Sequence, residues 1–89
     1  MSTIWKYQLH QIEKQIIDMP IGSKILSVGS QDGELVVWAY VDPDEGLEKH
    51  KILTCGTGHD GWHVYNERFI GTVQMNNGQE WHVFDGGTV

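Results

Sequence analysis

The chain has 89 residues, of which 39% are hydrophobic, and its twelve Asp and Glu against six Lys and Arg give a net charge of −6. A chain of this length supports one domain (residues 1–89), because two cores would each bury too little apolar surface to offset backbone ordering. The cations are scattered, which excludes the clustered Lys and Arg of a sequence-independent nucleic-acid surface, so direct nucleic-acid binding is not expected.

The expected compartment follows from three features of the sequence. No apolar run approaches the ~20 residues that a membrane helix needs. The N-terminus lacks the basic region and following apolar region of a secretory signal. Cys55 is the single cysteine, so it has no partner for an internal disulfide. We therefore expect a soluble protein of the cytoplasm, without membrane contact.

Alternating apolar and polar residues predict a first strand over residues 3–9 and a second over 15–19. Pro20 ends the second strand, because proline cannot donate a hydrogen bond to a neighbouring strand. Apolar residues within 9–19 also lie near helical spacing, so one short helix there is the alternative. The sequence leaves open whether these segments pair with the C-terminal part of the chain.

Two dipeptides, Asp32-Gly33 and Asn77-Gly78, each predict a tight antiparallel hairpin, because these residue types tolerate the positive φ of a two-residue turn. With the other turn signals they predict a mainly β fold, in which an antiparallel sheet of five to seven strands curls into a sandwich or partial barrel. The expected segments are strands over residues 24–31 and 34–42, a strand over 49–55, a loop over 56–66, strands over 68–75 and 79–85, and a flexible tail over 86–89.

The arm over residues 35–41 is apolar on both faces. Val36, Trp38 and Tyr40 face one way, whereas Leu35 and the alternate residues after it face the other. This pattern predicts a central strand that is covered on both sides, by a second sheet layer or by another subunit. A homodimer or a higher oligomer is therefore left open.

Six short motifs are spread over nearly the whole chain, at residues 4–7 (IWKY), 19–28 (MPIGSKILSV), 38–43 (WAYVDP), 56–59 (GTGH), 69–74 (FIGTVQ) and 81–84 (WHVF). Together they resemble a family of small proteins that bacteriophages and prophages carry and for which no activity is established. The resemblance implies a phage accessory protein, a class in which small acidic proteins often inhibit host defences by binding. It transfers no catalytic or binding residue, and the segment 60–67 matches nothing in the family pattern.

The glycine-bearing segment after the predicted strand 49–55 is a candidate ligand site. Gly56, Thr57 and Gly58 could present successive backbone N–H groups to an anion, with His59 beside them. The Lys, the glycine spacing and the following helix of known phosphate-binding loops are missing, so a simple turn is the competing interpretation. A small phosphate-containing ligand or signalling nucleotide at these four residues is kept as an alternative.

Metal binding and catalysis have weaker support. Cys55, His59 and His63 are evenly spaced donors, but a structural zinc site needs four ligands and usually draws them from C-x-x-C arms. The serines lie in no nucleophile-elbow motif, and the acidic residues cluster in turns that water would solvate. We expect no metal, no cofactor and no enzymatic activity.

The loop aromatics are the best candidates for a contact with another protein. Trp62 lies in a glycine-flanked loop, where a large ring has less reason to be buried, and Tyr65 follows it closely; packing of the two rings under the loop is the competing interpretation. Exposed aromatic rings bury much area while immobilising few torsions. The predicted partner-binding residues are Trp62, Tyr65, His63, Asp60, Asp44 and Glu45.

The resulting functional hypothesis is a stoichiometric inhibitor that binds a host protein of an antiviral defence system, as an anti-CRISPR or similar anti-defence protein does. The first alternative is a module that sequesters a small phosphate-containing ligand. The second is a structural component that associates with itself through the apolar faces of residues 35–41.

Overall fold

A computed structural model describes all 89 residues and contains seven strands and one short 3₁₀ turn. The mainly β, antiparallel sandwich that the sequence predicts is confirmed. The elements are β1 (Thr3–Leu9), β2 (Lys14–Pro20), β3 (Lys24–Gln31), β4 (Glu34–Val41), β5 (Leu47–Gly56), the 3₁₀ turn (Trp62–Val64), β6 (Arg68–Gln74) and β7 (Glu80–Thr88).

The helix considered over residues 9–19 does not form. Residues 14–20 are strand β2 instead, and they pair with β5 in a continuous register in which Ile17 lies opposite His50. The cross-strand partners supplied by β5 therefore outweigh the local helical spacing, as tertiary pairing commonly does for short apolar segments. No helix of the structure could span a membrane.

The strands form two sheets, which share one long hairpin. The first sheet has the order β1-β4-β3 and the second β2-β5-β7-β6. Since β3 pairs with β4 and β2 pairs with β5, both pairs belong to a single hairpin with its tip at residues 32–33. Between the two halves, Ile21 N–H donates to Gly46 O at 2.8 Å. Neither β1 nor β2 pairs with the C-terminal hairpin, which answers the question that the sequence left open.

The two predicted hairpin turns differ in conformation. Asp32 and Gly33 both have positive φ, at 52° and 80°, as the sequence predicts for a two-residue turn. In the second turn only Gly78 is positive, at 87°, and Gly78 N–H donates to Met75 O at 3.0 Å. A three-residue loop over 76–78 therefore replaces the predicted two-residue turn, and the glycine occupies its left-handed position.

The core lies between the sheets, and β4 contributes most to it. The inward side chains of β4 are fully buried, as are Met19, Ile52 and Val83 from the second sheet. The outward face of β4 is only partly covered, because Trp38 is half-buried against Gly29 and Tyr40 is 50% exposed. The sequence predicts that both faces of β4 are covered. Within a single chain, only the inward face is fully covered.

The end of the chain is ordered into the second sheet. Residues 86–88, predicted as part of a flexible tail, instead extend β7, and Thr88 pairs with His50. Val89 N–H then donates to Lys49 O at 2.9 Å. The glycines that indicated a loose end accommodate the chain beside β5, because a Cβ at Gly86 would lie 3.0 Å from Lys51 O.

Candidate functional site

One long loop, residues 57–67, crosses the second sheet and is called here the crossing loop. Strands β5 and β6 are both antiparallel to β7, which lies between them, so they run in the same direction. The chain must therefore return along the sheet before β6 can begin. The 3₁₀ turn in the middle of the crossing loop packs against β5.

Hydrogen bonds to β5 hold the crossing loop in place. His63 Nε2 donates to Thr54 O at 2.8 Å. The Cys55 thiol lies within 3.8 Å of His59 O and within 3.7 Å of Asp60 O, so it fills the space under the loop. His63 was predicted to contact a partner, but its ring is used within the chain and acts as an anchor of the loop.

Two aromatic side chains project from this anchored loop into solvent. Trp62 is 81% exposed and Tyr65 is 77% exposed. Their rings stack on one another, with centroids 6.0 Å apart and an interplanar angle of 17°. Asp60 holds the main chain at the first ring, because its Oδ1 accepts a hydrogen bond from the backbone N–H of Trp62 at 3.1 Å. These two rings are called here the aromatic pair. Large aromatic side chains are seldom so exposed in a folded protein.

The acidic turn predicted to join the same surface lies elsewhere. Asp44 and Glu45 follow β4 and precede β5, whereas Asp60 follows the other end of β5. The ten residues of β5 separate the two ends by about 30 Å at a rise of ~3.3 Å per residue. Asp44 Oδ2 also accepts a hydrogen bond from the N-terminal amine of Met1 at 3.2 Å. The predicted partner-binding residues therefore divide between two separate regions.

A small pocket of about 280 Å³ opens beside the start of the crossing loop. It includes three of the four predicted ligand-binding residues, because Gly56, Thr57 and His59 line it whereas Gly58 does not. The second hairpin supplies the other lining residues. Sequence spacing did not indicate them, since only the register that pairs Gly56 with Trp81 brings them together. They are Gln74, Gly78, Gln79, Glu80 and Trp81.

The pocket is poor in anion-binding groups. The N–H groups of Thr57 and His59 donate to Glu80 O at 3.2 Å and to Gly56 O at 3.0 Å, so the turn uses them internally. No Lys or Arg lines the pocket, and its only acidic lining residue is Glu80. The arrangement therefore supports a phosphate group less well than the glycine pattern indicated.

His59 closes one side of this pocket. Its ring lies over Gly56, where a Cβ would come within 2.7 Å of the imidazole. The same ring meets Trp81 edge to face, with centroids 6.1 Å apart. Trp81 is itself held by Gln11, whose Oε1 accepts the indole N–H at 2.9 Å. A rigid aromatic wall and two exposed carboxamides, Gln74 and Gln79, thus face the pocket.

A chain of hydrogen bonds runs from the pocket across β7. The Thr57 hydroxyl donates to Glu80 Oε1 at 2.7 Å, so it accepts the Nε2–H of His82, also at 2.7 Å. The Thr72 hydroxyl then donates to His82 Nδ1 at 2.9 Å. In this arrangement His82 donates to Thr57 rather than taking its proton, which is the reverse of what activates a hydroxyl nucleophile.

A second polar cluster is buried farther along β5, and the sequence analysis did not identify it. His50 Nε2 lies 2.7 Å from Asp85 Oδ1, and both side chains are almost inaccessible. Gly87 N–H donates to the same oxygen at 2.8 Å, and Arg68 Nη1 lies 3.6 Å from Asp85 Oδ2. Asp85 therefore ties together β5, β6 and the end of β7, which is a structural role.

Comparisons with known proteins bear on the chain as a whole. Neither the curated proteins nor the solved structures give a match. A family model matches residues 1–88, which is nearly the full length of the chain. The chain therefore belongs to the family described as Domain of unknown function (DUF7352).

Proposed function

We propose that this protein acts by stoichiometric binding to another protein and that the aromatic pair is its principal contact. The observation that carries the proposal is the stacking of Trp62 on Tyr65 in solvent, at 81% and 77% exposure. Two large rings are exposed in a chain of 89 residues, and a partner that covered them would remove much apolar area from water.

The anchoring of the loop strengthens this proposal. Binding through a mobile loop loses free energy to the ordering of that loop. Here His63 and Asp60 already hold the segment that carries the rings. Trp and Tyr also have only two side-chain torsions each, so little further freedom is lost when a partner covers them.

For the partner we propose a host protein of an antiviral defence system. The support is the resemblance to phage and prophage proteins, together with the net charge of −6. An acidic protein is attracted to basic surfaces, and proteins that act on nucleic acid commonly carry such surfaces. The crossing loop would then cover part of a surface that the partner uses.

The experiment is an affinity pull-down from the bacterial host during infection, with wild type compared to a variant that carries Trp62→Ala and Tyr65→Ala. We expect the wild type to retain a defence component and the variant to lose it. Trp5→Ala is the matched control, because Trp5 is a partly exposed aromatic on β1, outside the crossing loop. Equal capture by wild type and by the double variant would refute the role of the aromatic pair.

The pocket favours a second candidate function, the sequestration of a small polar ligand. Its carboxamides and imidazole can donate and accept hydrogen bonds, whereas it has no cation for a phosphate. For a nucleotide ligand, we therefore propose that the base or sugar enters the pocket and the phosphate stays in solvent.

A thermal-shift series with a nucleoside, its nucleotide and inorganic phosphate tests this candidate, because a ligand at 100 times its Kd adds about 2.7 kcal/mol of stability. We expect similar shifts for nucleoside and nucleotide and none for phosphate. Gln79→Ala should reduce the shift, whereas Gln8→Ala, outside the pocket, should not. No response to any nucleoside or nucleotide would remove the candidate.

Self-association is the third candidate, and the open outward face of β4 favours it. Ile4 and Tyr40 pair across β1 and β4 and are 55% and 50% exposed. A second copy that covered this face would complete the two-sided burial that the sequence predicts. If the molecular mass in solution stays that of a monomer over a hundredfold range of protein concentration, self-association is refuted.

A further inference from the structure

The surroundings of the aromatic pair are acidic. The crossing loop contains two acidic residues, Asp60 and Glu67, and no Lys or Arg. Asp60 Oδ1 accepts the backbone N–H of Trp62, so Oδ2 stays available to a partner. The nearest cation along the chain, Arg68, is paired with Asp85.

The rings of the aromatic pair also present open faces. Because the rings are nearly parallel at 17° and their centroids are 6.0 Å apart, they are offset sideways, and at 81% and 77% exposure most of each side chain stays in solvent. An aromatic face carries negative quadrupolar potential, which attracts a cation placed above it. Exposed aromatic rings and a carboxylate two residues before Trp62 in the same loop are groups that a flat cation binds.

We propose that the aromatic pair binds an arginine side chain on a basic segment of the partner protein. The guanidinium would stack on Trp62, because the indole is the strongest cation–π partner among the aromatic side chains, while one of its N–H groups donates to Asp60 Oδ2. Arginine fits better than lysine, because its guanidinium is planar, weakly hydrated and able to stack and to bind a carboxylate at the same time. This inference rests on the proposed function and names the chemistry of the partner.

The test compares two peptides of equal charge, tetra-arginine and tetra-lysine. Each is titrated into the full chain while the four indole N–H signals are followed by NMR, with the Trp62 signal assigned from Trp62→Phe. We expect tetra-arginine to shift the Trp62 signal and to bind about threefold more tightly than tetra-lysine, a typical margin for a cation–π contact at an exposed site.

Two variants and one control make the result specific. Trp62→Ala should remove the preference for arginine, and Asp60→Asn should weaken both peptides while it keeps an oxygen for the Trp62 N–H. Trp5→Phe is the matched control, because Trp5 is an exposed indole on β1 far along the chain, and it should change nothing. An unaltered far-UV spectrum for each variant shows that the fold is retained.

Equal affinity for the two peptides, or an arginine preference that survives Trp62→Ala, would overturn the inference. These outcomes are distinguishable from failure of the proposed function. Loss of partner capture in the double variant without an arginine preference would keep the protein contact and reject arginine as its target. An arginine preference together with unchanged partner capture would keep arginine binding by the aromatic pair and reject that pair as the contact with the partner.

Discussion

Tyr7 places a hydroxyl in the interior without a hydrogen-bond partner. Its ring packs against the core cluster between the sheets, and burial raises the pKa of Tyr7 above its ordinary value of 10.0. The cause is desolvation, which disfavours the tyrosinate. The unpaired hydroxyl is therefore a small cost to the folded state, because a buried polar group without a partner has lost its bonds to water.

Tyr7→Phe should leave the free energy of unfolding unchanged or raise it by up to about 1 kcal/mol. The wild type should also lose stability as pH rises beyond about 10, because the pKa is higher in the folded state and unfolding then favours proton release. Urea titrations at pH 8 and pH 10.5 measure both effects.

Tyr40→Phe serves as the control, since the Tyr40 ring is half-exposed. The decrease in the free energy of unfolding from pH 8 to pH 10.5 should be smaller in Tyr7→Phe than in the wild type, and it should persist in Tyr40→Phe. A Tyr7→Phe protein that is clearly less stable than the wild type at pH 8 would show that the hydroxyl has a bonding partner in solution.

The last part of β7 holds several strands together. Its Asp85 contacts His50 and Arg68, and Gly87 N–H binds the same carboxylate. Beyond it, Val89 N–H reaches Lys49 O. The segment therefore covers a buried histidine and lengthens the pairing between β5 and β7.

Deletion of residues 86–89 should lower the free energy of unfolding by about 2 kcal/mol, since the hydrogen bonds from Gly87 N–H to Asp85 Oδ1 and from Val89 N–H to Lys49 O are lost at about 1 kcal/mol each. Equilibrium urea unfolding measures the change. Deletion of Val89 alone removes only the last bond and should cost about half as much. A truncated chain as stable as the full one would mean that this segment is loosely held, as the glycines alone had indicated.

The two sheets depend on each other because they are halves of the same hairpin. The core cluster takes Leu35 and Val37 from the first sheet and Ile52 and Val83 from the second. On the other side, β3 and β6 approach so closely that a Cβ at Gly71 would lie 2.9 Å from Val28. Neither sheet has a hydrophobic core of its own.

We therefore expect the molecule to unfold as one unit. Tryptophan fluorescence reports on both sheets, because Trp38 lies in the first and Trp81 in the second. Its transition in urea should coincide with that of far-UV circular dichroism, as two-state unfolding requires. Two separated transitions would show that one sheet is stable without the other. Phe84→Leu, a change on the outward face of β7, should keep the transitions coincident.

Local patterns were sufficient for much of the fold. The positive φ of Asp32 and Gly33 and the alternation along residues 3–9 depend on a few neighbouring residues, so the sequence indicated the hairpin and the first strand correctly. The exposed position of Trp62 was also foreseeable, because its glycine-flanked loop offered no alternating apolar residues to pack against.

Other features depend on which strands become neighbours. The helical spacing of residues 9–19 lost to pairing with β5, and the glycines of residues 86–87 lie in a strand because Asp85 and Lys49 bind that segment. The pocket joins Gly56 to Trp81, and the buried pair joins His50 to Asp85, across 25 and 35 residues of chain. No local propensity encodes such register, since it follows from which hydrophobic faces bury one another when the long hairpin folds.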